Sequence, residues 1–279
     1  MITSNSRSPY LTKTSPLQFI NVVEQLTIDS VTKKKMLHTI NFYLLVVLLL
    51  LISITQAQVS QPPSSSKDYV ILLHGLGRTS WSMRPLEKHL KKRGFRTINI
   101  GYPSRKLPIE ELAKYIEAEI KQKCTDKEAD IHFVTHSMGG IIIRYYLENN
   151  QLEHLGRVVM LSPPNKGSEI ADTLRKYSFF SMITGPAGLQ LGTDPESIPN
   201  TLASVDFELG IITGNTSLLL PFSRIIPGED DGMVSVESAK VDGMNDFLVV
   251  PHGHTFIMRS QEVANQVTSF LQNGKFHKE

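Results

Sequence analysis

From residue 69 onward, short apolar runs alternate with longer segments in which apolar residues recur every three or four positions. "YVILLHG" (69–75) is an unbroken apolar run closed by His-Gly, the pattern of a buried parallel strand feeding a tight turn. "MRPLEKHLKKR" (83–93) predicts a helix stopped by Gly94, and "FRTINIGYP" (95–103) a second strand. Pro108 opens a helix whose Ile109, Leu112, Ile116 and Ile120 share one face, with Lys and Glu between them. "DIHFVT" (130–135) predicts a third strand and "MGGIIIRYYLENN" (138–150) a helix. "RVVMLSPP" (157–164) predicts a fourth strand, followed by a mixed region to about residue 205. "FELGIITGN" (207–215) and "NDFLVVP" (245–251) complete the strands, and residues 260–272 form a last helix. Strand–helix alternation of this kind predicts an α/β domain over 68–279: a mostly parallel central sheet, right-handed crossovers and helices on both faces. In such sheets the working residues lie at the carboxyl ends of the strands.

The N-terminal segment follows a different pattern. Lys33, Lys34 and Lys35 precede an apolar run, Phe42 to Ile54, of about 13 residues. A comfortable membrane span needs about 20. The run suits the core of an export signal, with Thr55–Ala57 as a small-residue cleavage site before Gln58. Two readings stand: a cleaved signal peptide, or an anchor retained at the membrane through residues 42–54. Both put residues 68–279 outside the cytoplasm, secreted or periplasmic. Met36 directly follows the lysines and is the expected start, unless residues 1–35 are a poorly structured extension. No lipidatable cysteine follows the run, which argues against a lipoprotein anchor. Residues 1–57 are thus extension and signal, and the Pro/Ser-rich 58–67 is a linker.

Charge narrows the class. The formal net charge is +2, yet the residues before Gln58 hold five Lys/Arg against two acids. The remainder is therefore slightly acidic, which excludes a basic nucleic-acid binder. Cys124 is the single cysteine, so no intrachain disulfide and no cysteine-based metal site is expected; its polar context, "KQKCTDKE", reads as an incidental loop thiol.

Candidate chemistry sits at successive strand ends. After the third strand, "THSMGG" (135–140) has the outline of a turn that raises Ser137 between strand and helix. Gly139 supplies the small residue needed two positions after the serine, while Thr135 stands where a glycine is usual. After the first strand, "HGLGRTSW" (74–81) offers a glycine loop; an acyl-transfer oxyanion needs two aimed N–H donors, and Leu76 and Met138 are the candidates. His74 reads as a structural hydrogen-bonding residue. The loop after the fifth strand holds Glu229, Asp230 and Asp231, of which Asp231 is the first choice for a carboxylate and Asp230 the second. After the sixth strand, "VVPHGHTF" holds His252 and His254. His254, behind a glycine, is the expected general base, and His252 a neighbouring polar residue. No metal site is expected at this pair, since no further ligand cluster accompanies it.

The order Ser137, Asp231, His254, with the segments "VILLHGLGR", "FVTHSMGGIIIRYYL", "VVMLSPPNKGSEIAD", "DDGMVSVESAK" and "HGHTFIM", resembles the α/β-hydrolase superfamily, in particular its small extracytoplasmic bacterial-type lipases and esterases. Pro164 to Asp172 is similar to the stretch that follows the fourth strand in bacterial lipases. The resemblance implies a serine carboxylic-ester hydrolase with no cofactor, an ester or lipid substrate, and contact with a lipid interface. With the charge distribution excluding nucleic acid, no nucleic-acid partner is expected, and no obligate protein partner is evident in the sequence. The resemblance maps nucleophile, acid and base onto Ser137, Asp231 and His254. Thr135 departs from the family pattern. The alternatives on the same site are an acyltransferase, a phospholipid or glycolipid deacylase, and a catalytically silent binding protein. The segment of about 40 residues after the fourth strand, rich in Phe179, Phe180, Met182 and Ile183, is either a short lid-like insert or helices packed on the sheet. Trp81 either lines the acyl pocket or packs the first helix.

Overall fold

Six strands form one sheet in the order β2-β1-β3-β4-β5-β6: Tyr69–Leu73 (β1), Arg96–Ile100 (β2), Ile131–His136 (β3), Leu155–Leu161 (β4), Leu209–Gly214 (β5) and Asp246–Val250 (β6). Every neighbouring pair is parallel, so all carboxyl ends share one edge. These are the strands expected from the apolar runs, in a computed structural model that describes residues 68–217 and 220–277 together with His38. The run Phe42–Ile54 expected to act as an export signal, the expected cleavage site and the expected linker lie outside the described residues. Among the described residues no helix is long and apolar enough to cross a membrane.

Both sheet faces are covered, which is why the strands read as continuous apolar runs rather than alternating ones. Ile71, Phe133, Met160 and Ile211 face one core, beneath α2 (Ile109–Lys123) and α3 (Met138–Asn149). Val70, Val134, Val159 and Ile212 face the other, beneath α1 (Arg84–Lys92) and the C-terminal helix Gln261–Asn273. Each such side chain, fully withdrawn from water, contributes about 1.5–3 kcal/mol. The C-terminal helix begins where Ser260 Oγ accepts from Val263 N–H (3.3 Å) and ends at Gly274 in the left-handed region, φ 72°.

α3 carries a charge inside an apolar helix. Arg144 is buried and donates to the carbonyls of Asn165, Pro199, Leu202 and Ala203. Burial pulls its pKa down to about 10. The guanidinium satisfies backbone that the chain 199–203 could not pair by itself, and so holds that connection against α3. The mixed region resolves into α4 (Glu169–Leu174), α5 (Ser178–Leu189) and a single turn at Ile198–Thr201. α5 is broken at Gly185 (φ 69°), where an added Cβ would collide with the Arg105 carbonyl.

Two expectations need correction. Cys124 is not an incidental loop thiol: it ends α2, is buried in the core, and its thiol is pushed up to about 11 by that burial. The runs 69–75 and 95–103 also overshoot, because the strands stop at Leu73 and Ile100 and the remaining residues turn into the loops at the sheet edge.

Candidate active site

Ser137 stands between β3 and α3 with φ 55° and ψ −127°, a conformation that costs a non-glycine residue on the order of 1–3 kcal/mol. The neighbouring residues hold it there. Its N–H extends the ladder by donating to Leu161 O (2.8 Å), and its carbonyl accepts from Gly140 N–H (2.9 Å). Gly139 lies so close to β1 that a Cβ would sit 3.0 Å from the carbonyls of Leu73 and His74. A Cβ on Gly140 would meet Pro163, Met160 and, at 3.4 Å, Thr135 Oγ1. Thr135 is fully buried and its hydroxyl makes no hydrogen bond among the described residues. The tight contacts are those with Pro163 and Met160, so Gly140 lets the helix lie close to the end of β4. Helix and strand still approach, with the small residue on the helix side.

The loop over 252–254 brings His254 to this serine. His254 Nδ1–H donates to Asp231 Oδ2 (2.8 Å), which leaves Nε2 to accept from the Ser137 hydroxyl (3.0 Å). Asp231 is buried, and its other oxygen accepts from Met233 N–H (3.0 Å) and Val234 N–H (2.9 Å). Burial would raise the pKa of this carboxyl, but the charge and hydrogen bond of His254 and the backbone donors outweigh it, and the net shift is downward. The carboxylate stays ionised and fixes the imidazole tautomer. The other members of the acidic loop point elsewhere. Asp230 accepts from Ser223 Oγ (2.8 Å) and Gly232 N–H (2.7 Å), and Glu229 from Asn215 (3.3 Å). His252 faces Glu262 at 3.4 Å.

Three further residues hold this arrangement. His136 Nε2–H donates to the backbone carbonyl of His254 (2.9 Å), while His254 N–H donates to Asp231 O (2.9 Å). His136 is buried and stays neutral: burial first, then the nearby His254 charge, lower its pKa well below the ordinary histidine value. Gly214 ends β5 beneath the His252 carbonyl, where a Cβ would collide with that oxygen. Ser162 leaves β4 at φ 48°, and its buried hydroxyl faces the Asp231 carboxylate without reaching regular hydrogen-bond geometry. None of the three stood out in the sequence. Gly214 falls inside the run read as the fifth strand, and Ser162 inside the run read as the fourth. Only the fold brings them beneath the carboxylate and the histidine loop.

Gly75 abuts the serine, since a Cβ there would lie 3.1 Å from Ser137 Cβ and 2.9 Å from His136 Nδ1. Leu76 follows in the same loop and lines the same cavity as Ser137. Met138 opens α3, where first-turn N–H groups lack intrahelical acceptors and the helix dipole is positive. The loop is anchored from behind by His74, whose ring stacks on Tyr102 (4.0 Å between centroids), donates to Gly75 O (2.9 Å) and accepts from Tyr102 N–H (3.3 Å). Burial lowers its pKa, so it is a neutral structural residue.

Ser137 and His254 open into a cavity of about 430 Å³. Its apolar wall comes from α4 and α5, with Ile170, Leu174, Phe179, Phe180 and Ile183, and from Leu191 just beyond α5. The segment after the fourth strand therefore does both things considered for it. Phe180, Ala187 and Leu191 are buried in the core, while Phe179 and Ile183 roof the cavity and Met182 is 84% exposed. Trp81 does not line the cavity: it is 60% exposed, with the Arg259 guanidinium 5.7 Å from its ring centre.

Residues 68–182 match the family described as alpha/beta hydrolase fold. No curated protein matches the sequence. Among solved structures, the chain is similar to the mature form of Bacillus licheniformis lipase BlEst2 (TM-score 0.60, 18% identity, 78% of this chain and 96% of that one). It is also similar to phospholipase PlaB from Legionella pneumophila (TM-score 0.57, 17% identity, 73% of this chain and 56% of that one), of which it spans just over half. A third similar structure is a soluble variant of monoglyceride lipase from Saccharomyces cerevisiae (TM-score 0.51, 15% identity, 78% and 90%). At these identities the likeness is one of fold.

Proposed function

We propose that this chain, which has the α/β-hydrolase fold, is a serine carboxylic-ester hydrolase working through an acyl-serine intermediate. The observation that carries the reading is the hydrogen-bonded chain from Ser137 Oγ through His254 to the buried Asp231 carboxylate. Ser137 Oγ attacks the ester carbonyl carbon as its proton passes to His254 Nε2. Asp231 stabilises the imidazolium, and the N–H groups of Leu76 and Met138 receive the oxyanion. The carbon–oxygen bond to the alcohol breaks, and the leaving alkoxide takes the proton from His254. Water, deprotonated by the same histidine, then releases the acid and restores Ser137. The apolar wall of α4 and α5 suits an acyl chain, which favours lipid-like esters over small polar ones. Transfer of the acyl group to an alcohol in place of water uses the same intermediate and is read from the products. The lysine-flanked apolar run supports action outside the cytoplasm; N-terminal sequencing of the exported protein tests this, with a start near Gln58 expected if the run is cleaved.

Hydrolysis of p-nitrophenyl esters of increasing acyl length, with Ser137→Ala as control, tests the reading. Turnover that rises with acyl length and disappears in the variant is expected. Near-wild-type turnover by a folded Ser137→Ala protein overturns it.

A further inference from the structure

The same cavity carries a charge pattern that an acyl chain does not need. Arg78 and Arg105 both line it, and among the described residues no Asp or Glu does. Neither arginine makes an ion pair among the described residues, whereas Arg96 pairs with Asp126, Arg157 with Glu208 and Arg175 with Asp194. The two arginines stand on loops that are tied together. Gly77 N–H donates to the buried Ser104 hydroxyl (3.1 Å), joining the loop of Arg78 to the loop of Arg105. Arg78 N–H closes a turn on Gly75 O (3.2 Å), and the break in α5 at Gly185 lies on the Arg105 carbonyl. Arg78 lines the same cavity as Ser137 and His136, and its charge adds to the lowering of the His136 pKa. The cavity is therefore lined by two cationic side chains on loops tied at the backbone, together with the apolar residues of α4 and α5.

The geometry points to a phosphate-binding subsite formed by Arg78 and Arg105 beside the oxyanion loop, selecting acyl esters whose alcohol part bears a phosphate. The inference rests on the ester-hydrolase reading and refines its substrate class. Guanidinium groups match phosphate oxygens through paired N–H donors, and charge-assisted hydrogen bonds are the stronger kind. The acyl chain lies along Phe179, Phe180 and Ile183, the scissile carbonyl at Ser137, and the phosphate at the arginines. An amphiphile with an anionic head fits all three at once.

The test compares two monomeric substrates that differ only in the phosphate, 1-decanoylglycerol and 1-decanoylglycerol 3-phosphate, both below their micelle concentrations. Wild type is expected to favour the phosphorylated ester by about a hundredfold in kcat/KM, about tenfold for each arginine. Arg78→Gln and Arg105→Gln each lower that ratio about tenfold, and the double variant brings it near one. Hydrolysis of the neutral ester without any preference, or a double variant that keeps the wild-type ratio, overturns the subsite while leaving the ester hydrolase standing. A preference that appears only on vesicles also overturns it, since that is attraction to an anionic surface. Hydrolysis of neither ester overturns both.

Discussion

Replacing Asp231 by asparagine tests how the carboxylate does its work. In the native protein one oxygen accepts from Met233 N–H and Val234 N–H and the other from His254 Nδ1–H, so all three neighbours are donors. An amide has one acceptor end and one donor end. Turning its oxygen toward the two backbone donors leaves its NH₂ against His254. The reverse orientation leaves two buried N–H groups unpaired, at about 1–3 kcal/mol each. The first orientation therefore wins, and it forces the imidazole to carry its proton on Nε2, where it cannot take one from Ser137. Restoring the productive tautomer and losing the carboxylate's stabilisation of the imidazolium together cost about 5 kcal/mol, or about 10⁴-fold in rate. The assay is kcat/KM on a p-nitrophenyl ester across pH 6–9, with thermal unfolding to show that the fold is intact. Asp230→Asn, whose native carboxylate accepts from Ser223 Oγ and Gly232 N–H and not from His254, is expected to stay within about tenfold of wild type. An Asp231→Asn enzyme within tenfold of wild type, or one more active than Asp230→Asn, refutes the reasoning.

Three other outcomes follow from the packing. Gly214→Ala places a methyl group against the His252 carbonyl, displaces the loop carrying His254, and is expected to lower kcat at least 100-fold with the far-UV spectrum unchanged, because about 1 Å of misplacement has that effect; full activity would mean that the loop yields. Thr135→Gly removes a buried side chain that touches no reacting atom, so kcat/KM is expected within about tenfold while urea unfolding shows a loss of about 2 kcal/mol; abolished turnover in a folded variant would give Thr135 a chemical role. His74, His132 and His136 are buried with lowered pKa values, chiefly by desolvation, so the unfolded chain binds their protons first as pH falls below the ordinary histidine range. Stability is then full above about pH 6.5 and is lost on acidification, by about 1.4 kcal/mol per histidine per pH unit, until the folded pKa values are reached; urea midpoints that do not change between pH 7.5 and 5.5 would contradict this.

The positions of the strands were legible because a sheet covered on both faces demands apolar runs, and those runs are long enough to see. Ser137 and His254 were legible because they sit at local turns marked by glycine. The choice of Asp231 over Asp230 rested on the Gly-Met-Val that follows, and the structure places Asp231, not Asp230, against His254. What stayed hidden depends on contacts across the chain. The close approach of Gly140 to Pro163 and Met160, the seat that Gly214 gives to His252, and the four carbonyls around Arg144 have no signature within any short window. The pairing of Arg78 with Arg105 was hidden for the same reason, since the two arginines lie on different loops joined through Ser104.

Covalent capture of the nucleophile tests the central claim most directly. A fluorophosphonate reacts with an activated serine, forming an oxygen–phosphorus bond and expelling fluoride, and the product is stable enough for mass spectrometry. The account predicts one equivalent of adduct, on the peptide containing Ser137, with loss of ester hydrolysis in step with labelling. It also predicts that His254→Ala labels far more slowly. An adduct on any other residue, or equal labelling of Ser137→Ala, would contradict it.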